Sequence, residues 1–327
     1  NPKIRFNYSE RYRFTYVYPK YKNIADKQKS YIRKFITDAE STLNSDSFRD
    51  MTEGFRKYFD TKSFVDYQII QEFCNNVDGY RYSTFFYKDK DSKDGRLHAG
   101  PLWDFDLAYG NENYTDFNLA TDTWLYPKYL EFYGHRLHWW ARMMDDFSYR
   151  ASFAARWKEL RKGPFSTDSI MNYIDNTIMY LGESVDRNFT RWPIIGRYVW
   201  PNHFVGNSYE EEVDYLKDWI SRRVNWMDVN VMVAESVSGS AGNDIVVFPN
   251  PVRDQFSMYF NLKNPGMVRI VITNLMGHRV HYEEQVLETV GDQYIEVNPG
   301  KQTPGFYVVQ LFRGNRLIGR KSIIIAR

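Results

Sequence analysis

The chain changes hydrophobic rhythm once. Through its first two thirds, short stretches with apolar residues every three or four positions, the spacing of a buried helix face, alternate with irregular aromatic-rich segments; from residue 244 apolar residues fall in short runs split by turn residues. Residues 27–44 place Ile32, Phe35, Ile36, Ala39 and Leu43 on one such face. A second helix is predicted after Ser63, with Asp66 completing a capping-box-like start and Phe64, Tyr67, Ile70, Phe73 and Cys74 forming its apolar side. Further helices are expected at 134–146, 148–161 and 167–188. A last one follows Ser208, where Ser208 and Glu211 make a capping box ahead of Val213, Leu216, Ile220 and Val224.

Between the helical patterns, Thr84–Tyr87 and Leu97–Ala99 read as the arms of a hairpin around the turn-rich KDKDSKDG. The second arm runs into Gly100-Pro101-Leu102-Trp103-Asp104-Phe105-Asp106. A first domain is assigned to 1–228. The Ser-, Gly- and Ala-rich ESVSGSAGN has no periodicity, and a linker is placed at 229–243. From 244 to 327 strands are predicted at Ile245–Phe248, Gln255–Phe260, Val268–Thr273, Tyr294–Val297, Gly305–Phe312 and Lys321–Ile325, spaced as in a β-sandwich. The fold class is α+β: a mainly helical part with a β-hairpin, followed by a small all-β sandwich.

At 327 residues the chain suits one medium domain and one small one. Its formal charge is +2 and its basic residues are scattered, as in Arg11, Arg13, Lys27 and Lys29, which argues against nucleic acid as a partner. No apolar run approaches the roughly 18 residues of a transmembrane segment. Cys74 is the single cysteine, so no intrachain disulfide is possible. Aromatic residues reach 18%, suited to a packed core and to carbohydrate-facing surfaces. Asn1-Pro2 is not a natural start, and the chain is expected to be part of a longer precursor.

Two acidic motifs carry candidate chemistry: Asn75-Asn76-Val77-Asp78-Gly79-Tyr80 after a predicted helix, and Trp103-Asp104-Phe105-Asp106 after a predicted strand. Alternate residues on an extended segment face opposite sides, so Asp104 and Asp106 share a site only if the strand ends between them. A carboxylate pair on separate elements suits Mg²⁺ or Mn²⁺, one acid ligating and another activating a hydroxyl, as phosphoryl transfer requires. The same residues also read as turn caps, since 41 acidic residues make coincidences common. A third reading pairs Asp78 and Asp104 as the acid and base of a glycan hydrolase, with carboxyl groups about 5–9.5 Å apart.

Residues 63–110, from SFVDYQIIQEFCNNVDGYRYSTFFYKDKD to GRLHAGPLWDFDLAYG, resemble the core of the CotH family of atypical secreted or spore-coat protein kinases. Arg191-Trp192-Pro193 and Ser208–Trp226 match its later segments. The resemblance spans roughly 2–228, and VDGY followed by GPLWDFD is its most specific part. It implies a helical kinase-like C-lobe in which Asp78 is the catalytic-loop acid that orients and deprotonates the acceptor hydroxyl. Asp104 would be the metal acid replacing the kinase DFG aspartate, Asp106 a supporting ligand, and Asn76 and Ser83 would lie on the cofactor side. The implied cofactors are ATP with Mg²⁺ or Mn²⁺, and the implied substrate is Ser or Thr of an extracytoplasmic protein. Protein kinases hold a second metal with an Asn five residues after the catalytic Asp, where this chain has Ser83. No Gly-rich loop and no V-A-I-K-like lysine precedes Asp78, so the resemblance covers the C-lobe and this chain alone is expected to lack phosphotransfer. The alternative is a catalytically inactive surface scaffold or adhesion protein whose aromatic surface contacts a partner or polysaccharide.

Val247-Phe248-Pro249-Asn250-Pro251-Val252, Asn274-Leu275-Met276-Gly277, Pro304-Gly305-Phe306-Tyr307-Val308-Val309 and a terminal Lys321–Arg327 strand resemble, in that order, the type A sorting domain of type IX secretion in Bacteroidota. The prolines hold an extended lead-in, Gly277 permits a turn with φ > 0, and Gly305 feeds a strand. The resemblance implies that the outer-membrane translocon reads residues 244–327 and that the protein is secreted or held at the outer-membrane cell surface. The competing reading is a generic immunoglobulin-like or fibronectin-like binding module.

Other residues read more simply. His135 and His138 beside Trp139 and Trp140 suit a surface or packing role better than a metal site. Tyr80, Tyr82, Phe85, Phe86 and Tyr87 suit core and cross-strand pairing. Cys74 reads as a small buried hydrophobe. DKDSKDG lacks the closing Glu of an EF-hand and reads as a solvated turn.

Overall fold

The computed structural model describes residues 4–6, 9–50, 52–113, 115–133, 139–236, 245–248, 250–288 and 290–326. The chain divides into two compact units, residues 1–146 with 161–228, and residues 147–160 with 229–327.

In the first unit a short antiparallel ladder of β1 (Ile4–Phe6) and β2 (Ser9–Phe14) precedes α1 (Asp26–Leu43). The predicted face of α1 buries Ile36, Ala39 and Leu43. Glu40 is buried with them, only 3% exposed, and its carboxylate accepts a hydrogen bond from Trp139 Nε1 at 3.0 Å. Burial pushes the Glu40 carboxyl up to about 6, and the Trp139 bond offsets part of that rise.

Helix α2 (Thr61–Cys74) starts before the predicted Ser63, because the cap is Asp60, whose side chain accepts from the Ser63 amide at 2.9 Å. Ser63 Oγ instead donates to the Asp60 carbonyl and accepts from the Ala99 amide. Asp66 forms an exposed pair with Lys62. The hairpin of β3 (Phe86–Lys88) and β4 (Leu97–Ala99) has the register Phe86↔Ala99, Tyr87↔His98 and Lys88↔Leu97. Its connection folds into one helical turn, α3 (Asp91–Asp94). Beyond it lie α4 (Asp116–Leu119), α5 (Leu125–Tyr133) and α6 (Trp139–Met143). Helix α5 is not among the predicted helices; Pro127 lies in its first turn, where proline costs no internal hydrogen bond. Of the helix expected at 134–146, residues 139–143 are helical and 134–138 lie outside the described residues.

Aromatic rings fill this core. Phe64 lies 5.1 Å from Trp140, Phe59 5.3 Å from Trp139 and Phe86 5.2 Å from Trp139. The predicted aromatic set divides: Tyr80 is buried, Phe86 packs against these tryptophans, and Tyr82 and Tyr87 are exposed.

Helix α7 (Phe147–Arg161) is followed by α8 (Thr167–Leu181) and α9 (Ser184–Arg191), so the single helix predicted at 167–188 is two. The break falls at Gly182, whose φ of +45° ends α8. Helix α10 (Tyr209–Ser236) begins with half of the predicted box: Ser208 Oγ accepts from the Glu211 amide, while the Glu211 carboxylate turns to Asn207. Its buried face continues through Val224, Met227 and Val231, so 229–236 of the expected linker is helical; 237–244 lie outside the described residues.

Glu72 of α2 and Arg223 of α10 are both fully buried. The Glu72 carboxylate accepts from the Leu125 amide at 2.7 Å, the Tyr126 amide at 2.9 Å and Tyr80 OH at 2.9 Å. Arg223 donates to the Glu72 carbonyl through Nε and Nη2, and to the carbonyls of Thr121 and Thr123. Its Nη2 stands 3.6 Å from the Glu72 carboxylate. Burial dominates both groups, raising the Glu72 carboxyl despite these partners and bringing the Arg223 guanidinium down to about 10.

The second unit holds two antiparallel sheets. One orders β5 (Val246–Phe248), β6 (Phe256–Leu262) and β9 (Gly291–Val297); the other orders β11 (Arg316–Ile325), β10 (Gly305–Arg313), β7 (Gly266–Asn274) and β8 (Arg279–Leu287). Residues including Val252, Met258, Ile270, Val297, Val309 and Ile323 form one core between them, as a sandwich requires. Strand β8 escapes the sequence reading because RVHYEEQVL is largely polar, which its position at a sheet edge explains. Asn250 ties the lead-in to the last strand: its Oδ1 accepts from the Ile324 amide at 2.8 Å, and the Val252 amide donates to the Ile324 carbonyl at 2.7 Å.

Arg223→Ala is expected to lower the stability of the first unit by about 3–5 kcal/mol, because Glu72 and three carbonyls stay buried without their donor. Urea titration checks this; a loss under about 1 kcal/mol would show the pair to be dispensable. Glu40 gives a pH signature. Between 4.5 and about 6 the folded state holds a proton that the unfolded state releases, so its contribution is full below this window and is lost as pH rises through it. Glu40→Gln should therefore match the parent near pH 4 and exceed it by about 2 kcal/mol at pH 7. A difference that does not change with pH contradicts the assignment.

Candidate functional site

The segment after α2 is fixed from several sides. Asn75 ends the helix in the left-handed region, φ +50°, and its Nδ2 donates to the carbonyls of Phe117, Asn118 and Ala120 at 2.8–3.0 Å. Asn118 Nδ2 donates back to the Asn75 carbonyl, and Tyr129 OH donates to the Val77 carbonyl. Gly79 is closely approached: a Cβ there would stand 2.3 Å from Gln71 Oε1, which would have to shift, and 3.0 Å from the Asn76 carbonyl. Tyr80, at φ +61°, sits against Trp140 with its hydroxyl on Glu72.

This brings the two acidic motifs together through Asn76. Its Oδ1 accepts from the Asp78 amide at 3.1 Å, and its Nδ2 donates to the Asp104 carbonyl at 3.3 Å. Ser83 Oγ donates to Asp104 Oδ2 at 3.1 Å. Asn76, Ser83 and Asp104 thus form one hydrogen-bonded group, which Asp78 joins through its backbone. Asp104 has φ +66°, so the chain is not regularly extended there and the strand-alternation argument does not govern its direction. The far end of this motif is anchored by Tyr109, at φ +58°, whose amide donates to the Cys74 carbonyl at 2.7 Å. Asp106 is exposed, and its carbonyl accepts from Asn111 Nδ2 at 2.8 Å.

Sequence reasoning missed Arg81. Its Nη2 lies 3.4 Å from Asp78 Oδ1 and its guanidinium covers the Tyr82 ring at 4.2 Å. The available signal was the three-residue offset from Asp78. It also missed Asn75 as the clamp of the segment and the Glu72–Arg223 pair beneath it.

Among the described residues, Asp60, Asp94 and His98 place one ligand atom each within 4.8 Å of one another. Arg96 already answers both carboxylates, at 3.1 Å from Asp60 and 2.9 Å from Asp94, and it holds the Asp94 carboxyl well below the usual range. His98 also stacks on Tyr87. The group is a charge-compensated clamp between the α2 cap and the hairpin, and it shows that the segment read as a solvated turn is partly folded. Cys74 is fully buried and its thiol is pushed up by desolvation, in keeping with a packing role. His135 and His138 lie outside the described residues.

No curated protein matches the chain significantly. Among solved structures, an immunoglobulin-like protein from Pseudomonas aeruginosa is 14% identical over 27% of this chain and 82% of its own, with a TM-score of 0.17. A glycosyl hydrolase family 2 member from Bacteroides cellulosilyticus is 16% identical over 25% of this chain and 13% of its own, with a TM-score of 0.17. An alkylpurine DNA glycosylase from Pseudomonas fluorescens is 14% identical over 64% of this chain and 69% of its own, with a TM-score of 0.18. Likenesses at these scores carry no argument. Family profiles are decisive: that of the CotH kinase protein matches residues 5–227, and that of the secretion system C-terminal sorting domain matches residues 246–326. No helix among the described residues is long and apolar enough to cross a membrane. The chain belongs to the CotH kinase protein family and carries a type IX sorting domain, which marks it for secretion or attachment at the cell surface.

Proposed function

We propose that the first unit is the catalytic lobe of an exported protein kinase, transferring the γ-phosphoryl group of ATP to a Ser or Thr hydroxyl of an extracytoplasmic protein. The observation that carries this reading is the group of Asn76, Ser83 and Asp104, which joins the two acidic motifs and fixes one oxygen of the Asp104 carboxylate. Asp78 takes the acceptor proton as the acceptor oxygen bonds to the γ-phosphorus; the bond to the β–γ bridging oxygen breaks and ADP leaves. Asp104 would hold Mg²⁺ or Mn²⁺, with Asp106 as a supporting ligand and Asn76 and Ser83 on the nucleotide side. The ion, when bound, neutralises charge on the phosphate oxygens. The sorting domain, over 244–327, engages the type IX translocon and delivers this lobe to the outer-membrane surface or the medium.

One observation favours the second reading, an inactive surface scaffold: the Arg81 guanidinium beside Asp78 competes with an acceptor hydroxyl for the same carboxylate.

The test is labelling from γ-labelled ATP by the full-length protein with Mg²⁺ or Mn²⁺. Asp104→Ala and Asp78→Asn are each expected to lower transfer by about a hundredfold or more. Ser83→Ala, which removes one hydrogen bond to a carboxylate, is expected to cost about tenfold. Labelling that is the same in the Asp104→Ala protein, or no labelling together with no calorimetric signal for nucleotide, favours the scaffold.

A further inference from the structure

The loop after α9 is built to stay open. Arg191, Trp192, Ile194, Arg197, Tyr198 and Trp200 are all exposed, with Trp192 at 56% and Trp200 at 71%. Their backbone is nonetheless held. The Gly196 amide donates to the Gly206 carbonyl at 3.0 Å, Arg197 to Ile194 at 3.0 Å and Asn202 to Val199 at 2.8 Å. Rings displayed on an ordered frame lose little freedom when something covers them, which is what a docking surface needs.

Two further observations say what covers it. The loop itself, residues 192–208, carries Arg197 and no carboxylate; Asp186, Glu210, Glu211 and Glu212 flank it, and the Glu211 and Glu212 carboxylates accept from the backbone amides of Asn207 and Gly206. Arg187 is answered by Glu183, whereas Arg191 lies over the Trp192 ring and presents its charge beside the apolar rings. Arg191 and Arg197 are the charges that stand among the exposed rings, and they suit an anionic partner. The loop is also continuous with the acidic segment of the candidate site. The His203 amide donates to the Asn111 carbonyl at 3.2 Å, Glu112 bridges Asn202, and Asn113 Nδ2 donates to Tyr198 OH at 2.9 Å. Asn111 in turn donates its side-chain amide to the Asp106 carbonyl.

We infer that the 191–200 loop is a docking platform for an acidic, aromatic-containing extended segment of the acceptor protein, held by stacking on Trp192 and Trp200 and by pairing with Arg191 and Arg197. The inference rests on the kinase reading for the identity of the partner as an acceptor, but binding itself is measured apart from transfer. The platform is joined to the Asp104–Asp106 segment by the run of hydrogen bonds through Asn111, Glu112 and Asn113, so a segment held on it stays close to that part of the chain.

The experiment is fluorescence anisotropy of the whole chain with a labelled Glu–Tyr random copolymer, beside a Lys–Tyr copolymer and the uronic polysaccharide alginate. The parent is expected to bind the Glu–Tyr copolymer in preference to both. Trp192→Ala with Trp200→Ala should weaken binding roughly tenfold or more, with the melting temperature unchanged because both rings are exposed. Arg191→Ala with Arg197→Ala should weaken it roughly tenfold and flatten its salt dependence. Binding is read with no nucleotide present, so a failure of phosphoryl transfer would leave docking standing. Equal binding by the parent and the loop variants overturns the platform. So does tighter binding of the Lys–Tyr copolymer or of alginate, or a parent dimer that the tryptophan variant dissociates without any copolymer binding.

Discussion

A carboxylate and a guanidinium can share a dry interior only if their polar atoms are answered, and around Glu72 and Arg223 the answers come from separate parts of the chain. The carboxylate receives the first two amides of α5 and the Tyr80 hydroxyl; the guanidinium receives carbonyls at 72, 121 and 123. Four segments are thereby fixed against one another: the end of α2, the segment carrying Tyr80, the stretch before α5, and α10. The acidic residue Asp78 lies between two of these anchors, Glu72 and Tyr80. Its position is set by a buried charge pair that takes no part in the proposed chemistry.

The same pair shows what sequence periodicity can and cannot reveal. A helix face is legible because apolar residues repeat, which is why α1 and most of α10 fall where they are predicted. Glu40, Glu72 and Arg223 sit on buried faces, but as charged residues they register in a hydrophobic pattern as solvent positions. Strand β8 fails for the opposite reason, since an edge strand has little apolar surface to display. The cap of α2 is missed by three residues because Asp60 and Ser63 are both good caps, and only the fold decides which one bonds to which amide.

In the candidate site the residue types were readable and their connections were not. Asp78, Asp104, Asn76 and Ser83 are singled out by motif, but Asn76 as the link between the two acidic segments depends on a contact across 28 positions of chain. Arg81 was overlooked because one arginine among 43 basic residues carries no signal until it is seen beside Asp78. The hairpin shows a related limit: the acids of DKDSKDG read as solvated, yet Asp94 reaches Arg96 and His98 near the α2 cap.

Backbone strain is concentrated at the two acidic segments. Among the described residues, four non-glycine residues lie in the left-handed region, Asn75, Tyr80, Asp104 and Tyr109, and they bracket the two acidic segments in pairs. Each such conformation costs on the order of 1–3 kcal/mol and persists only where surrounding contacts over-determine it. Those contacts are present: three carbonyls for Asn75, Glu72 and Trp140 for Tyr80, Asn76 and Ser83 around Asp104, and the Cys74 carbonyl for Tyr109. Held conformations of this kind keep the segments that carry Asp78 and Asp104 in fixed positions, and the proposed chemistry draws on that rigidity: Arg81 can swing away from Asp78, while these backbone positions relax only if their anchors are broken.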